Sequence, residues 1–423
     1  MKGNKKPTVS IMSFMDGETI GECVFESGKN RPGFIVKKNG ELLTQQQYSQ
    51  GAATLKPPGS VRGLVRSGAL KLPLTTIPYG TVEELKTVVR AFIHKYVDLS
   101  ETFEIICTYY VLLTWLYDKY NELPYLRVRG DYGTGKTRFL SVLGSICYKP
   151  IFASGASTTA PLFHLLNEIQ GTLVLDESDF RFSDTTAELT KILNNGNTKG
   201  FSVLRCEQSS DGKFSVKAYS IFGPKIVAAR ESFKDDALES RFITEDLGGN
   251  SLRENIPITL PGTFEDEAQS LRNQLLQYRF DNRLKPVSMH VTDIPGIAGR
   301  TRQIYLPLLS LIEDRNELSA VYQRVTAYES QLRSDRGLQT EAELLQVIYK
   351  LQLQDKDLSI TEITKSFVIQ FGARYGRRIT PKWIGYLIRS RLHLGTRKSG
   401  GVYIISEGQD EKLSRLMQTY DVL

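Results

Sequence analysis

The residues best suited to chemistry form one short run, Gly130-Asp131-Tyr132-Gly133-Thr134-Gly135-Lys136-Thr137. It satisfies G-x-x-x-x-G-K-[ST] at every fixed position. Glycines at that spacing turn successive backbone N–H groups inward into an anion-binding nest. A helix starting at Lys136 adds the positive end of its dipole. The lysine then reaches the outer phosphates of a nucleoside triphosphate, and the Thr137 hydroxyl is placed to ligate Mg²⁺. ATP and Mg²⁺ are the cofactors this run predicts.

A second run completes such a site. Thr172-Leu-Val-Leu-Asp176-Glu177 is an apolar stretch that ends in two carboxylates. Asp176 is expected to hold the Mg²⁺ through water, and Glu177 to polarise the attacking water as general base. An acidic turn ending a strand has the same appearance, so the pair gains meaning from its position about one crossover beyond the glycine loop. Together Lys136, Thr137, Asp176 and Glu177 predict hydrolysis as well as binding.

These residues need elements to position them. Tyr125–Arg129 is expected to be a strand leading into the loop, and residues 138–148 a helix leaving it. Leu173–Leu175, residues 221–229 and residues 242–245 are further expected strands, and residues 189–193 belong to a helix. Strands alternating with helices predict an α/β core with a parallel sheet. Before it, residues 1–80 are β-rich, with Gly33–Gly40 as a strand ending in an Asn-Gly turn, and are expected to form an accessory region. Residues 81–124 are expected to be a helical collar, 125–252 the core, 253–335 a mostly helical lid, and 340–423 a small separate domain after a polar joint at 333–339.

Composition narrows the class. The chain has 423 residues, 40% hydrophobic and 24% charged, which fits a globular protein of two or three domains. A net charge of +7 favours polyanionic partners. Cys23, Cys107, Cys147 and Cys206 lie far apart and match neither a disulfide framework nor a zinc site. The polar, Lys-rich start has no apolar secretory core, and residues 103–117 are too short and polar to span a bilayer. A cytoplasmic protein with no membrane partner is expected.

From about Tyr125 to Phe242 the chain resembles AAA+ helicase-type ATPases, and most closely the superfamily-3-like, primase-associated helicases of phages and mobile elements. The resemblance implies a homo-oligomeric ring, usually hexameric, with ATP between subunits, an arginine finger and two sensors. Ala237-Leu-Glu-Ser-Arg241-Phe-Ile is similar to the finger segment, so Arg241 would act on a neighbour's γ-phosphate; a surface ion pair with Glu239 or Glu245 is the other reading. Sensor 1 departs from the family pattern: the fourth strand ends in Arg230, where Asn, Thr or Ser is usual, and Asn194 and Asn195 are the polar alternatives. Arg300 and Arg302, ahead of an apolar helix, resemble a sensor-2 position. Phe201–Arg205 and Phe214–Tyr219 alternate about a Ser-Ser-Asp-Gly turn. This resembles the hairpin that such helicases project into the pore, with Lys213 at its tip and Arg205 and Lys217 on its arms gripping a DNA strand.

The last domain gives an independent hint of DNA. Residues 341–353, a capped helix from Ser359 and a Thr380-Pro381-capped helix precede a Gly-Gly hairpin, the order of a winged helix-turn-helix. Eight Lys or Arg and no Asp or Glu lie between Arg374 and Lys398. Lys382, Arg389, Arg391, Arg397 and Lys398 are the expected phosphate or base contacts. The expected function is an ATP-dependent DNA helicase or translocase working as a ring in replication of a phage or mobile element. The alternative is a DNA-bound AAA+ switch, such as an initiator, transposition regulator or defence ATPase, that does not unwind.

Overall fold

The computed structural model describes residues 7–154, 159–176, 184–208, 214–233, 235–248, 253–287, 297, 299–337, 340–356, 358–376 and 378–422. Glu177 and Lys213 lie outside the described residues. The chain divides into two compact units, Met1–Tyr322 and Gln323–Leu423.

The first unit begins with strands β1 (Thr8–Ser10), β2 (Ser13–Asp16), β3 (Thr19–Glu26), β4 (Arg31–Lys38), β5 (Glu41–Gln45), β6 (Tyr48–Gln50) and β7 (Ala53–Lys56). β2 to β5 form an antiparallel sheet in chain order, and β7 lies between β1 and β6. The expected Asn-Gly turn joins β4 to β5, with Asn39 and Gly40 both at positive φ, as a two-residue hairpin turn requires. These strands are continuous with the α/β core. Met12, Phe14, Cys23, Phe34 and Leu55 share one buried cluster with Ile151, Leu173 and Val227.

Polar groups lock the same boundary. Glu22 on β3 accepts from the Tyr148 hydroxyl at 2.8 Å and pairs with Lys149 at 3.0 Å and Arg279 at 2.6 Å. Arg279 in turn pairs with Asp118 at 2.9 Å. A buried charge is tolerated only when paired and hydrogen-bonded. The network therefore fixes four chain segments against each other.

After α1 (Val61–Arg66), the collar is made of α2 (Val82–Tyr96) and α3 (Glu101–Trp115). Thr81 and Glu84 form a full capping box at the start of α2. α3 is buried almost all round, because it is sandwiched between α2 and the core.

The core follows as β8 (Tyr125–Arg129), α4 (Lys136–Ile146), β9 (Ile151–Ser154), α5 (Thr159–Ile169), β10 (Leu173–Asp176), α6 (Asp184–Asn195), β11 (Val203–Gln208), β12 (Phe214–Tyr219), β13 (Lys225–Ala229), α7 (Asp236–Glu239) and β14 (Phe242–Asp246). Five of these strands form a parallel sheet in the order β14-β8-β13-β10-β9. β9 is a four-residue edge strand, too short to show a period in the sequence. β11 and β12 pair antiparallel as a separate hairpin.

Helices α8 (Phe264–Asn282), α9 (Gly299–Leu309) and α10 (Arg315–Gly337) come next. In the stretch 253–335, expected to be a mostly helical lid, the first helix among the described residues begins at Phe264. The polar joint expected at 333–339 is helical as far as Gly337, where α10 ends.

The second unit, described by itself, contains α11 (Thr340–Leu353), α12 (Ile360–Phe371), α13 (Pro381–Tyr386), β15 (Thr396–Ser399), β16 (Val402–Ile405) and α14 (Asp410–Thr419). Its core is Leu344, Ile348, Ile363, Phe367, Ile384, Ile388 and Leu413. α13 continues into a wider π-helical stretch, Leu387–Arg391. β15 and β16 form a hairpin closed by Gly400 and Gly401, both at positive φ.

Candidate nucleotide site

Three strand ends build the site. β8 delivers the glycine loop, β10 delivers Asp176, and β13 lies between them and delivers Arg230. Ala228 is in register with Asp176 and Ala229 with Arg129, so all three ends lie at the carboxyl edge of the sheet, where α/β folds place ligands.

The loop has the shape that its sequence predicts. Gly135 has φ of 92° and leads directly into α4, a conformation that costs a side-chain-bearing residue energy. At Gly130 a Cβ would lie 2.6 Å from Thr134 Oγ1 and 2.7 Å from the Leu247 carbonyl. The Lys136 ammonium folds across the loop and donates to the carbonyls of Gly130 and Asp131, each at 2.6 Å. Burial, with the Arg230 charge nearby, holds it below the usual lysine range. An amine so placed gains from an arriving anion.

Thr137 Oγ1 donates to Asp176 Oδ2 at 2.9 Å. A hydroxyl and a carboxylate in contact at the head of α4 are the two oxygen donors that a small hard cation accepts. The donor set therefore fits Mg²⁺, with Thr137 and Asp176 as the residues that would hold it. Arg230 stacks on Tyr132, its guanidinium carbon 3.7 Å from the ring centroid. This aims a cation at the rim of the loop from the end of the fourth core strand.

A cavity of about 770 Å³ adjoins the loop. Its walls are Tyr132–Gly135, Arg138, the collar segment Tyr96–Ser100, Glu245–Gly248, and Arg253 with Ile256–Ile258. Arg138 donates to the carbonyls of Pro257 at 3.0 Å and Ile258 at 2.6 Å, tying that segment to α4. Arg253 pairs with Asp98 at 2.9 Å and donates to the carbonyls of His94 and Val97, each at 2.8 Å. The volume and mixed lining suit a nucleoside. Beyond Tyr132–Gly135, no sequence pattern flags these residues, since they come together from segments far apart in the chain and Arg138 and Arg253 partner backbone carbonyls.

The other candidates lie elsewhere. Arg241 precedes β14 at the opposite end of the sheet: the Tyr125 N–H, at the start of β8, donates to its carbonyl at 2.9 Å. Its guanidinium donates to Asn197 Oδ1 at 3.0 Å and to the Ala237 carbonyl. Neither expected surface pair forms, because Glu239 is held by Arg127 and Glu245 accepts from the Ser100 N–H. Arg300 donates to Ser240 Oγ at 2.6 Å and to the same Ala237 carbonyl at 3.0 Å. Arg300 thus joins Arg241, away from the loop of its own chain. Arg302 is half-buried on α9. Asn194 donates to Asp235 at 2.9 Å, and Asn195 to the Lys191 carbonyl of its own helix at 2.9 Å. Their amides are used within the α6–α7 region.

On the hairpin, Arg205 and Lys217 face each other in register. Arg205 stacks on Phe163 at 4.0 Å, and Lys217 pairs with Glu207 at 2.6 Å. Arg205 thus lies over its own chain, while Lys217 is exposed and paired on the hairpin itself. In the second unit, Arg391 pairs with Glu341 at 2.8 Å and Arg374 with Glu343 at 2.8 Å, while Arg397 pairs with Glu407. The basic run is therefore partly neutralised by carboxylates from outside it. Lys382, Arg389 and Lys398 are exposed, with Arg389 lying 6.0 Å from the Tyr403 ring centroid on the hairpin.

No known protein family matches the sequence, and no curated relative matches it. Solved structures with a similar chain trace include the C-terminal region of NrS-1, at 12% identity and a TM-score of 0.38, covering 91% of this chain and 96% of that one. The JCV helicase matches at 14% identity and a TM-score of 0.26, over 60% and 62% of the two chains. The Orc1 protein of Aeropyrum pernix, solved with DNA, matches at 14% and 0.24, over 79% and 96%. Among the described residues no helix is long and apolar enough to cross a membrane.

Proposed function

We propose that this chain is a Mg²⁺-dependent ATP hydrolase that works on DNA as a ring of identical subunits. The observation that carries the reading is the contact of Thr137 with Asp176 beside a glycine loop whose lysine is already folded over it. Lys136 would follow the outer phosphates, the loop amides would orient them, and Thr137 and Asp176 would hold the cation. Mg²⁺ supplies charge neutralisation on the phosphate oxygens. Arg230 adds positive charge at the rim in the sensor-1 position. Glu177, next to Asp176 in sequence, is the proposed general base.

Arg241 supports a shared site. It sits roughly 13 Å of strand away from its own loop, at about 3.3 Å per residue, so the phosphate it can serve belongs to another copy. Arg300 is proposed to act beside it. Arg302 remains a proposed sensor on α9. For the second unit, the order helix, helix, helix, hairpin supports a winged helix with Lys382, Arg389 and Lys398 as its DNA contacts. A helicase or translocase is the reading favoured by the hairpin and the basic last unit together.

One observation favours the second reading, a DNA-bound switch without unwinding. Arg205 is stacked on Phe163 and Lys217, though exposed, is paired with Glu207 of the same hairpin, which leaves Lys213 as the arm's proposed grip. Strand displacement on a forked duplex separates the two. Unwinding that stops when Lys213 is replaced by Ala establishes the motor. DNA-stimulated hydrolysis with no displacement establishes the switch. Absence of any hydrolysis overturns both.

A further inference from the structure

The two faces of the β11–β12 hairpin have opposite chemistry. Register pairs Val203 with Tyr219, Arg205 with Lys217, and Glu207 with Ser215 on one side. That side lies on α5, where Tyr219 packs edge-on against His164 with ring centroids 4.9 Å apart and Arg205 covers Phe163. The other side carries Leu204 opposite Ala218 and Cys206 opposite Val216, with Phe214 at the end of the arm. Here Leu204 is 68%, Val216 65% and Phe214 75% exposed. Cys206 is exposed as well, while Cys23, Cys107 and Cys147 are buried.

A two-stranded hairpin with one bare apolar face is marginal in water, and a contiguous apolar patch marks a surface that another molecule covers. The residue types at 204, 206, 214, 216 and 218 include no charge. A phosphate backbone calls for cations on the face it touches, yet the arm cations point the other way. An uncharged apolar face is instead complementary to the apolar surface of a neighbouring hairpin. Arg241, placed to serve another copy's nucleotide, already calls for a second copy of this chain.

We infer that the Leu204–Val216–Phe214 face is a subunit contact, covered by the hairpin of a neighbouring copy. This rests on the shared-site reading above. The contact brings Cys206 of one copy within reach of Cys206 of the next.

The native cysteine supplies the test. The full chain is treated with a short bismaleimide in the presence of a non-hydrolysable ATP analogue. Covalent dimers, the largest product that one exposed thiol per chain allows, are expected, and they should be lost in Cys206→Ser. Leu204→Asp and Val216→Asp alter exposed positions, so each should keep its circular dichroism and nucleotide binding. Each should lower the mass seen by light scattering and abolish cross-linking. If Cys206 fails to cross-link while mixed Lys136 and Arg241 variants still restore each other's hydrolysis, the shared site stands and this contact is wrong. If the protein neither cross-links nor complements, the shared site fails too. If single-stranded DNA, and not rising protein concentration, shields Cys206 from maleimide, the face takes nucleobases and the subunit contact is overturned.

Discussion

Arg241 and Arg300 donate to the same acceptor, the carbonyl of Ala237 in the first turn of α7. Two guanidiniums seldom share one carbonyl at small cost, because their charges repel. Burial and the adjacent Arg300 charge both lower the Arg241 pKa. A phosphate from another copy arriving here would meet two cations that gain by neutralisation.

Arg241→Ala should therefore lower ATP hydrolysis by about 10³-fold or more, the effect typical of an arginine that stabilises transition-state charge, with nucleotide affinity close to wild type. Mixing Arg241→Ala with Lys136→Ala subunits should recover part of the rate, since one supplies an intact loop and the other an intact arginine. A steady-state phosphate-release assay on the mixture checks this. Additivity of two dead proteins, with no recovery, would place Arg241 in a structural role.

Thr137 and Asp176 hold one another directly, and the prediction for them concerns Mg²⁺ specifically. Asp176→Asn keeps the hydrogen bond but removes the charge. The Mg²⁺ concentration for half-maximal hydrolysis should rise roughly 10- to 100-fold, the usual effect of altering a residue that holds a metal through water. Fluorescent-nucleotide binding without Mg²⁺ should be unaffected. An unchanged Mg²⁺ titration would exclude Asp176 from the metal site.

The Glu22 network makes a stability prediction. Burial alone would raise the Glu22 carboxyl, but Arg279 and Lys149 override it and hold it below the usual carboxylate range. Burial opposes ionisation of Asp118 too, yet Arg279 and Arg283 lower it well beyond that range. Stability from both carboxylates is thus present above the ordinary carboxylate range and is lost as pH falls through the folded values. Glu22→Ala leaves Arg279 and Lys149 buried without their main partner. It should cost roughly 3–5 kcal/mol, read as a lower urea midpoint at neutral pH.

Much of the candidate nucleotide site was legible in the chain because its parts are local. Tyr125–Arg129 is the predicted strand, and the loop and acidic run need only their neighbours in sequence to be recognised. The rest depended on partners far away. β3 is buried on both faces, and N-terminal residues share a buried cluster with the α/β core, which no local pattern announces. Arg374 and Arg391 looked like a free basic surface because Glu343 and Glu341 lie a helix away. The cavity beside the loop depends on Arg138 and Arg253 finding backbone carbonyls, which no residue type advertises.

Lys225 is the last and least sequence-visible of these residues. Its ammonium is fully buried at the start of β13 and donates to the carbonyls of Gly196 at 3.2 Å, Ile221 at 3.0 Å and Gly223 at 3.0 Å. Gly196 must lack a side chain, since a Cβ would lie 2.3 Å from that nitrogen. Tyr125 offers its ring at 4.7 Å, and the Tyr110 hydroxyl accepts from the Lys225 N–H at 3.1 Å. Burial raises both tyrosines well above their ordinary value, so they stay neutral. Burial pushes the lysine down from 10.5 to about 7. The folded chain then binds fewer protons here than the unfolded chain between those values, so stability must rise with pH across that interval. The contribution is full above 10.5 and disappears as pH falls through about 7. The melting temperature of the wild type relative to Lys225→Met should therefore increase between about pH 7 and pH 9, inside that interval. A difference that stays flat or falls over that range would show that the three carbonyls keep the ammonium charged throughout.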